Sequence, residues 1–193
     1  MNELRMYFFV PYQLTGIQQG IQSGHAALEF ALRYGRYNPN HIIWNFIEKY
    51  KTWVILNGGT TNLGYNGSEK GSLDLIWSSM IDYNVSAQLD DKLDMERFYE
   101  PDLNDAMTAI CFVCDERVFN KELYPNFMDW VLDVKMYPTA LMEMPKMNEN
   151  MLRRLPKEKY TELFPEYYQE WTEFVGGEKN VFLRELINGK KLA

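Results

Sequence analysis

Cysteine is scarce. Only Cys111 and Cys114 occur in 193 residues, which excludes a disulfide framework. No apolar run approaches the roughly 18 residues that a membrane helix needs. The first ten residues lack the basic start, long apolar stretch and small-residue cleavage site of a secretory signal. A cytoplasmic protein without a membrane partner is therefore expected. Positive charge is also short: 20 Lys and Arg face 27 Asp and Glu, a net of −7 that argues against general nucleic-acid binding by charge. The Gly58-Gly59 and Asn66-Gly67 loop fits no phosphate-binding glycine pattern. Core material, by contrast, is plentiful. Hydrophobic residues make up 46% and aromatics 15%, too much for a disordered chain and enough for a core without covalent staples.

The two cysteines form a C-x-x-C, which fits a redox pair or half a zinc site. They lie inside Thr108–Cys114, however, an apolar run that reads as a buried strand, where residues three apart point to opposite faces. No second cysteine pair exists, and His25 and His41 are distant in sequence. Structural thiols are expected, with no metal and no cofactor.

Periodicity divides the chain. Met6–Val10 reads as a central strand ended by Pro11. From Gly16 to Tyr34, Ile17, Ile21, His25, Leu28 and Leu32 recur at helical spacing, which predicts an amphipathic helix with that stripe buried and Gly35 as its stop. A second helix after Pro39-Asn40 places Ile43, Ile47 and Tyr50 on one face, and Trp53–Leu56 reads as a fully buried strand. Ser72 is the expected cap of a third helix that carries Leu73, Ile76, Trp77, Met80 and Ile81, with Asn84 as its terminator. Val85–Leu89 and Thr108–Cys114 are the remaining strands, separated by an acidic, loop-like stretch. This alternation predicts an α/β fold, a mixed sheet of about four strands between helices, over residues 1–117. Residues 118–193 form a helical, aromatic-rich C-terminal extension. In it, Pro125–Met136 reads as a helix, Pro138–Pro145 as extended, and Phe182, Leu183 and Leu186 as a last apolar stripe.

Gln22-Ser-Gly-His25-Ala-Ala-Leu28 opens a helix just after a strand and a glycine-containing loop. The stretch Trp44–Leu56 and the segment Phe98-Tyr-Glu-Pro-Asp102-Leu-Asn-Asp-Ala-Met-Thr108-Ala-Ile110 follow in order. Together these three pieces resemble the peptidyl-tRNA hydrolase 2 family over roughly residues 6–115. The resemblance implies a mixed sheet of about four strands between helical layers. It also implies cleavage of the ester that joins a peptide to the 3′-terminal ribose of tRNA, with Gln22 and His25 as helix-motif residues and Asp102 and Thr108 as site residues. Two family lysines are missing. One falls on Gln18; the other falls on Thr52, next to Lys51. Ester hydrolysis needs a polarised water and a stabilised oxyanion, and loss of one stabiliser costs about 3–4 kcal/mol.

Residues 1–145 carry 11 basic and 19 acidic side chains, unsuited to a tRNA acceptor stem. The expectation is thus a catalytically impaired domain used as a structural or protein-interaction module. Its partners would be protein subunits of a homo- or hetero-oligomeric assembly. The alternative is a peptidyl-tRNA hydrolase that uses Lys51, Asp102, Thr108 and Gln18 and takes tRNA as partner. Phe164, Tyr167, Tyr168, Trp171 and Phe174 form an aromatic stripe of which part is expected to pack on the core and the remainder to expose a patch that docks on neighbouring subunits. Phages carry genes resembling this family, and a chain rich in Asn, Tyr and Met suits an AT-rich genome. A phage structural component, in host cytoplasm or virion, is the particular expectation.

Overall fold

The structure, a computed structural model, describes residues 2–61, 71–134 and 149–193. Four strands form one mixed sheet in the order β2-β1-β4-β3. These are β1 (Leu4–Pro11), β2 (Thr52–Gly59), β3 (Met95–Glu100) and β4 (Ala106–Asp115). β1 runs parallel to β2, while β4 is antiparallel to both β1 and β3. The two central strands read as near-continuous apolar runs because helices cover both of their faces. Helix α1 (Gly16–Phe30, continued by a π-helical turn at Ala31–Gly35) and α2 (Ile42–Asn45, continued by a π-helical turn at Phe46–Tyr50) pack on one face. There they meet Leu4, Met6, Phe8, Val10, Ala109 and Cys111. Helix α3 (Ser72–Ser86) covers the other face, where Leu73 sits against Gly58 beside Phe9.

Several elements depart from the sequence expectation. The expected strand at Val85–Leu89 does not form. Val85 and Ser86 finish α3 with Val85 80% exposed, and Leu89–Asp91 is a short 3₁₀ turn. The fourth strand is instead Met95–Glu100, inside the acidic stretch that reads as a loop. An edge strand buries only part of itself, so its charged alternation carries no continuous apolar signal. Asn84 does not end α3. Its side chain bonds both backbone groups of Leu93, at 3.1 Å and 2.7 Å, and so ties the helix to the approach to β3. Nor is Ser72 the cap: Asp74 accepts from the Gly71 N–H at 3.1 Å, while Ser72 Oγ accepts from the Thr60 N–H. β2 is not fully buried either. It is an edge strand, and Trp53 is 43% exposed.

The outer edge of β2 carries a short cover from the C-terminal tail. The Asn57 N–H donates to Lys191 O at 2.9 Å and the Ala193 N–H to Ile55 O at 3.0 Å, with Leu192 bridged to Leu56.

The most consequential departure concerns α1. The stripe of Ile17, Ile21, Leu28 and Leu32 faces solvent. The face on the sheet is Gln19, Gln22, Ser23, Ala26 and Phe30. That second row also recurs every three to four residues, so periodicity alone admits either orientation. Ala26 is fully buried, and its small side chain lets the helix approach the sheet closely.

The chain divides into two compact units, 1–116 with 185–193, and 117–184. The last nine residues thus belong with the first unit rather than with the extension. The second unit holds α5 (Phe127–Asp133), α6 (Glu149–Leu152), α7 (Lys157–Leu163) and α8 (Pro165–Phe174), preceded by α4 (Glu116–Phe119) at its boundary. The last helix, α9 (Glu178–Ile187), runs out of this unit at its C-terminal end. It buries Val181 and Leu183, with Phe182 and Leu186 only half-buried. The expected extended run Pro138–Pro145 and most of the Gly58–Gly71 loop lie outside the described residues. Arg184 is buried here and donates to the carbonyls of Arg117 and Tyr124 and to Asn126 Oδ1; burial lowers its guanidinium to about 10.

The aromatic stripe packs into the core of the second unit, as expected of part of it, and leaves less for a docking patch than the sequence suggests. Phe164 and Trp171 are buried in a cluster with Phe127, Trp130, Val131 and Leu152, and Tyr167 and Tyr168 pack against it. Phe174 alone of the five is exposed, at 39%, and its ring lies 5.3 Å from that of Tyr124. The aromatics close on one another because the extension has a hydrophobic core of its own. Among the described residues no helix is long and apolar enough to cross a membrane.

Candidate functional site

Residues from α1, β3 and β4 meet where β1 ends. Thr108 Oγ1 donates to Gln22 Oε1 at 2.6 Å, and Gln22 Nε2 donates to Glu100 Oε2 at 2.6 Å. Thr108 and Gln22 are buried. A β-bulge makes this possible. Phe98 pairs with Ala109 and Tyr99 with Met107, so Thr108 is the extra residue of β4. Bulges re-aim side chains, and this one brings the hydroxyl to α1. A second irregularity, between Val10 and Pro11 on β1, lies at the same end of the sheet. Gln19 adds a bond from Nε2 to Pro11 O at 3.4 Å.

The polarity of the chain of bonds limits its chemistry. The Glu100 carboxylate fixes the glutamine amide with its N–H toward the acid, and the Thr108 proton is committed to the amide oxygen. What remains available is mostly acceptor: the Glu100 carboxylate, the lone pairs of Thr108 and, beyond β3, the exposed Asp102 in a single 3₁₀ turn. A developing oxyanion needs donors and positive charge at this point.

The other expected site residues do not supply them. Gln18 is exposed and serves as a helix cap. Its Oε1 accepts from both the Thr15 N–H and Thr15 Oγ1 at 3.0 Å, while Thr15 Oγ1 accepts from the Gln18 N–H. Lys51 lies at the opposite end of the sheet. Thr52 pairs with Arg5 near the start of β1, whereas Thr108 follows the register Phe9–Ile110 to the level of Pro11. That difference along β1 is about 20 Å at the ordinary strand rise. Lys51 therefore joins neither Asp102 nor Thr108.

His25 faces neither group. Its ring lies 4.5 Å from that of Phe98, and its Nδ1 is buried without a hydrogen-bond partner. It lines a cavity of about 580 Å³ between α1, α2 and the β1–β2 part of the sheet, together with Leu28, Phe46, Ile47, Lys51 and Trp53. His41, the other histidine, positions α2. Its Nδ1 accepts from the Ile43 N–H at 3.2 Å and its Nε2 faces Asp94 Oδ2 at 3.1 Å.

The cysteines diverge as the strand alternation requires. Cys111 lies on the α1 face, with its thiol on Ala26 O at 3.4 Å, and Cys114 is buried near Tyr7. Burial pushes both thiols well up, and it raises the Tyr7 hydroxyl to about 12, with Cys114 adding to the effect. Among the described residues no group of three or more His, Cys, Asp or Glu is placed to hold a metal ion.

Sequence reasoning missed Glu100 and Gln19. The signal for Glu100 was its place two residues before Asp102, within the same segment. For Gln19 there was none, because it binds a backbone carbonyl that only the fold brings near. No family model matches the chain, and no curated protein matches it.

Proposed function

We propose that this protein is an interaction module of a larger protein assembly, built on a peptidyl-tRNA hydrolase 2-like domain that does not hydrolyse the ester. A phage structural component is the particular form that the composition suggests. The observation that carries the proposal is the outward apolar stripe of α1. Ile17, Ile21, Leu28 and Leu32 are each at least half exposed, and Ile17 is 79% exposed. Exposed apolar residues gathered on one helix face mark interfaces. The resemblance is supported by the mixed four-stranded sheet, the fold that it implies, and by the bond between Gln22 and Thr108, motif residues 86 positions apart.

The placements above support a reading without hydrolysis: Gln18 is spent on capping, Lys51 sits at the far end of the sheet, and the groups left available around Thr108 are mostly acceptors. The Gln22–Thr108 contact is also what favours the alternative, a peptidyl-tRNA hydrolase. Incubation of the full chain with peptidyl-tRNA separates the two readings. No release of peptide at high protein concentration is expected. Release that Asp102→Ala abolishes would establish the hydrolase instead. Size-exclusion chromatography over a concentration series tests association, and a full chain that stays monomeric throughout would count heavily against the module.

A further inference from the structure

We infer that the outer edge of β2 is a strand-pairing site for β2 of a second copy of this chain, and that residues 190–193 are the strap that closes it. The tail already shows what the edge accepts. It lies antiparallel on β2, with the Asn57 N–H on Lys191 O, the Ala193 N–H on Ile55 O and Leu192 opposite Leu56. By strand alternation Trp53, Ile55 and Asn57 turn their backbone groups outward, while Val54 and Leu56 turn theirs to β1.

The strap is lightly held. Among the described residues its pairing spans Ile55–Asn57 of a strand eight residues long. Its side chains are exposed, and Lys190 Nζ adds one contact, 5.9 Å from the Phe9 ring. Gly189, at φ 70° with nothing within 4 Å of its Cβ position, precedes it. Two backbone bonds on a glycine joint make a cover that can lift.

The sequence of the edge selects its partner. Thr52-Trp-Val-Ile-Leu56 is β-branched and aromatic, with no charge and no proline, the composition that favours pairing between strands of separate chains. Antiparallel pairing with a second β2 about a twofold axis at Val54 sets Trp53 against Ile55 and Thr52 against Leu56, with no like charges opposed. The opposite edge of the sheet is closed by fixed side chains instead. On β3 the Tyr34 hydroxyl binds both backbone groups of Met95, donating to O at 2.9 Å and accepting from N–H at 3.1 Å, and Glu96 Oε1 accepts from the Arg97 N–H at 3.0 Å. The sheet thus has one edge that stays shut and one whose cover is detachable. This surface is separate from the apolar face of α1, and the inference stands whether or not the module reading holds.

A cysteine placed on the axis tests this in the full chain. Val54 would sit at a non-hydrogen-bonded position of the pair, where opposed Cα atoms are about 4.5 Å apart and within disulfide reach. Ala193→Pro removes the N–H that binds Ile55 and adds no charge. Under oxidising conditions Val54→Cys/Ala193→Pro should form about fivefold more disulfide-linked dimer than Val54→Cys with the tail intact. Val85→Cys, at an exposed position near the end of α3, should dimerise equally with either tail. Faster amide exchange at Asn57 reports release of the tail, and circular dichroism of each variant verifies the fold. Equal dimer yields from the two Val54→Cys chains, no dimer from the folded double variant, an equal rise at Val85→Cys, or unchanged exchange at Asn57 would overturn the assignment.

Discussion

Thr108 and Gln22 are where single residues matter most, because each satisfies the other in a buried place. Thr108→Val keeps the shape and leaves the Gln22 oxygen unpaired, so a loss of about 1–3 kcal/mol is expected by urea denaturation. Gln22→Met should cost a similar amount. The double variant should cost less than the sum, since the two residues share one bond; strict additivity would refute the coupling. The two thiols give a pH dependence with a definite sign. Burial raises both in the folded state, so above the ordinary thiol value the unfolded chain ionises while the folded chain does not. Stability is therefore full below about pH 8.5 and falls as pH rises, by up to about 1.4 kcal/mol per pH unit for each thiol. Denaturation midpoints at pH 8 and pH 10 under reducing conditions measure it. The Cys111→Ala/Cys114→Ala variant should show the shallower slope, with Tyr7 accounting for part of what remains.

Helix α1 shows what periodicity reveals and what it withholds. Both rows, Ile17-Ile21-Leu28-Leu32 and Gln19-Gln22-Ser23-Ala26-Phe30, have helical spacing. Hydrophobicity alone selects the first for burial. The structure selects the second, because Ala26 permits close approach and Gln22 finds Thr108, so the polar row is satisfied inside. The expected energetics are opposite for the two rows. Ile17→Glu should change stability by no more than about 0.5 kcal/mol, whereas Ala26→Leu should cost about 1–3 kcal/mol by overpacking. Thermal melts of both variants decide between the orientations, and the reverse order would mean that the apolar stripe is core. Strands divide in the same way. β1 and β4 were legible because central strands are apolar throughout. β3 was not, because Met-Glu-Arg-Phe-Tyr-Glu carries the mixed character of an edge. In the candidate site, the Gln22 and Thr108 positions were legible from the resemblance. The separation of Lys51 from them was not, since register is a property of the assembled sheet.

At the scale of the whole molecule, two units with separate cores account for the aromatic wealth of the C-terminal part without any partner. The surface proposed for association is therefore that of α1 and not the extension. The edge of β2 is covered by residues 190–193, whose side chains are exposed, so backbone pairing rather than apolar burial holds them. Truncation after Gly189 should speed amide exchange at Asn57; unchanged protection would show that the tail is not its partner.

The apolar face of α1 is proposed as a surface for association that contributes nothing to the core. Sedimentation equilibrium of the wild type beside the variant Ile17→Glu/Ile21→Glu/Leu28→Glu/Leu32→Glu tests it most directly, with melting temperature recorded for both. The expected result is concentration-dependent association of the wild type and a monomeric variant that melts within a few degrees of it. A wild type that remains monomeric at the highest concentration, or a variant that fails to fold, would contradict the account.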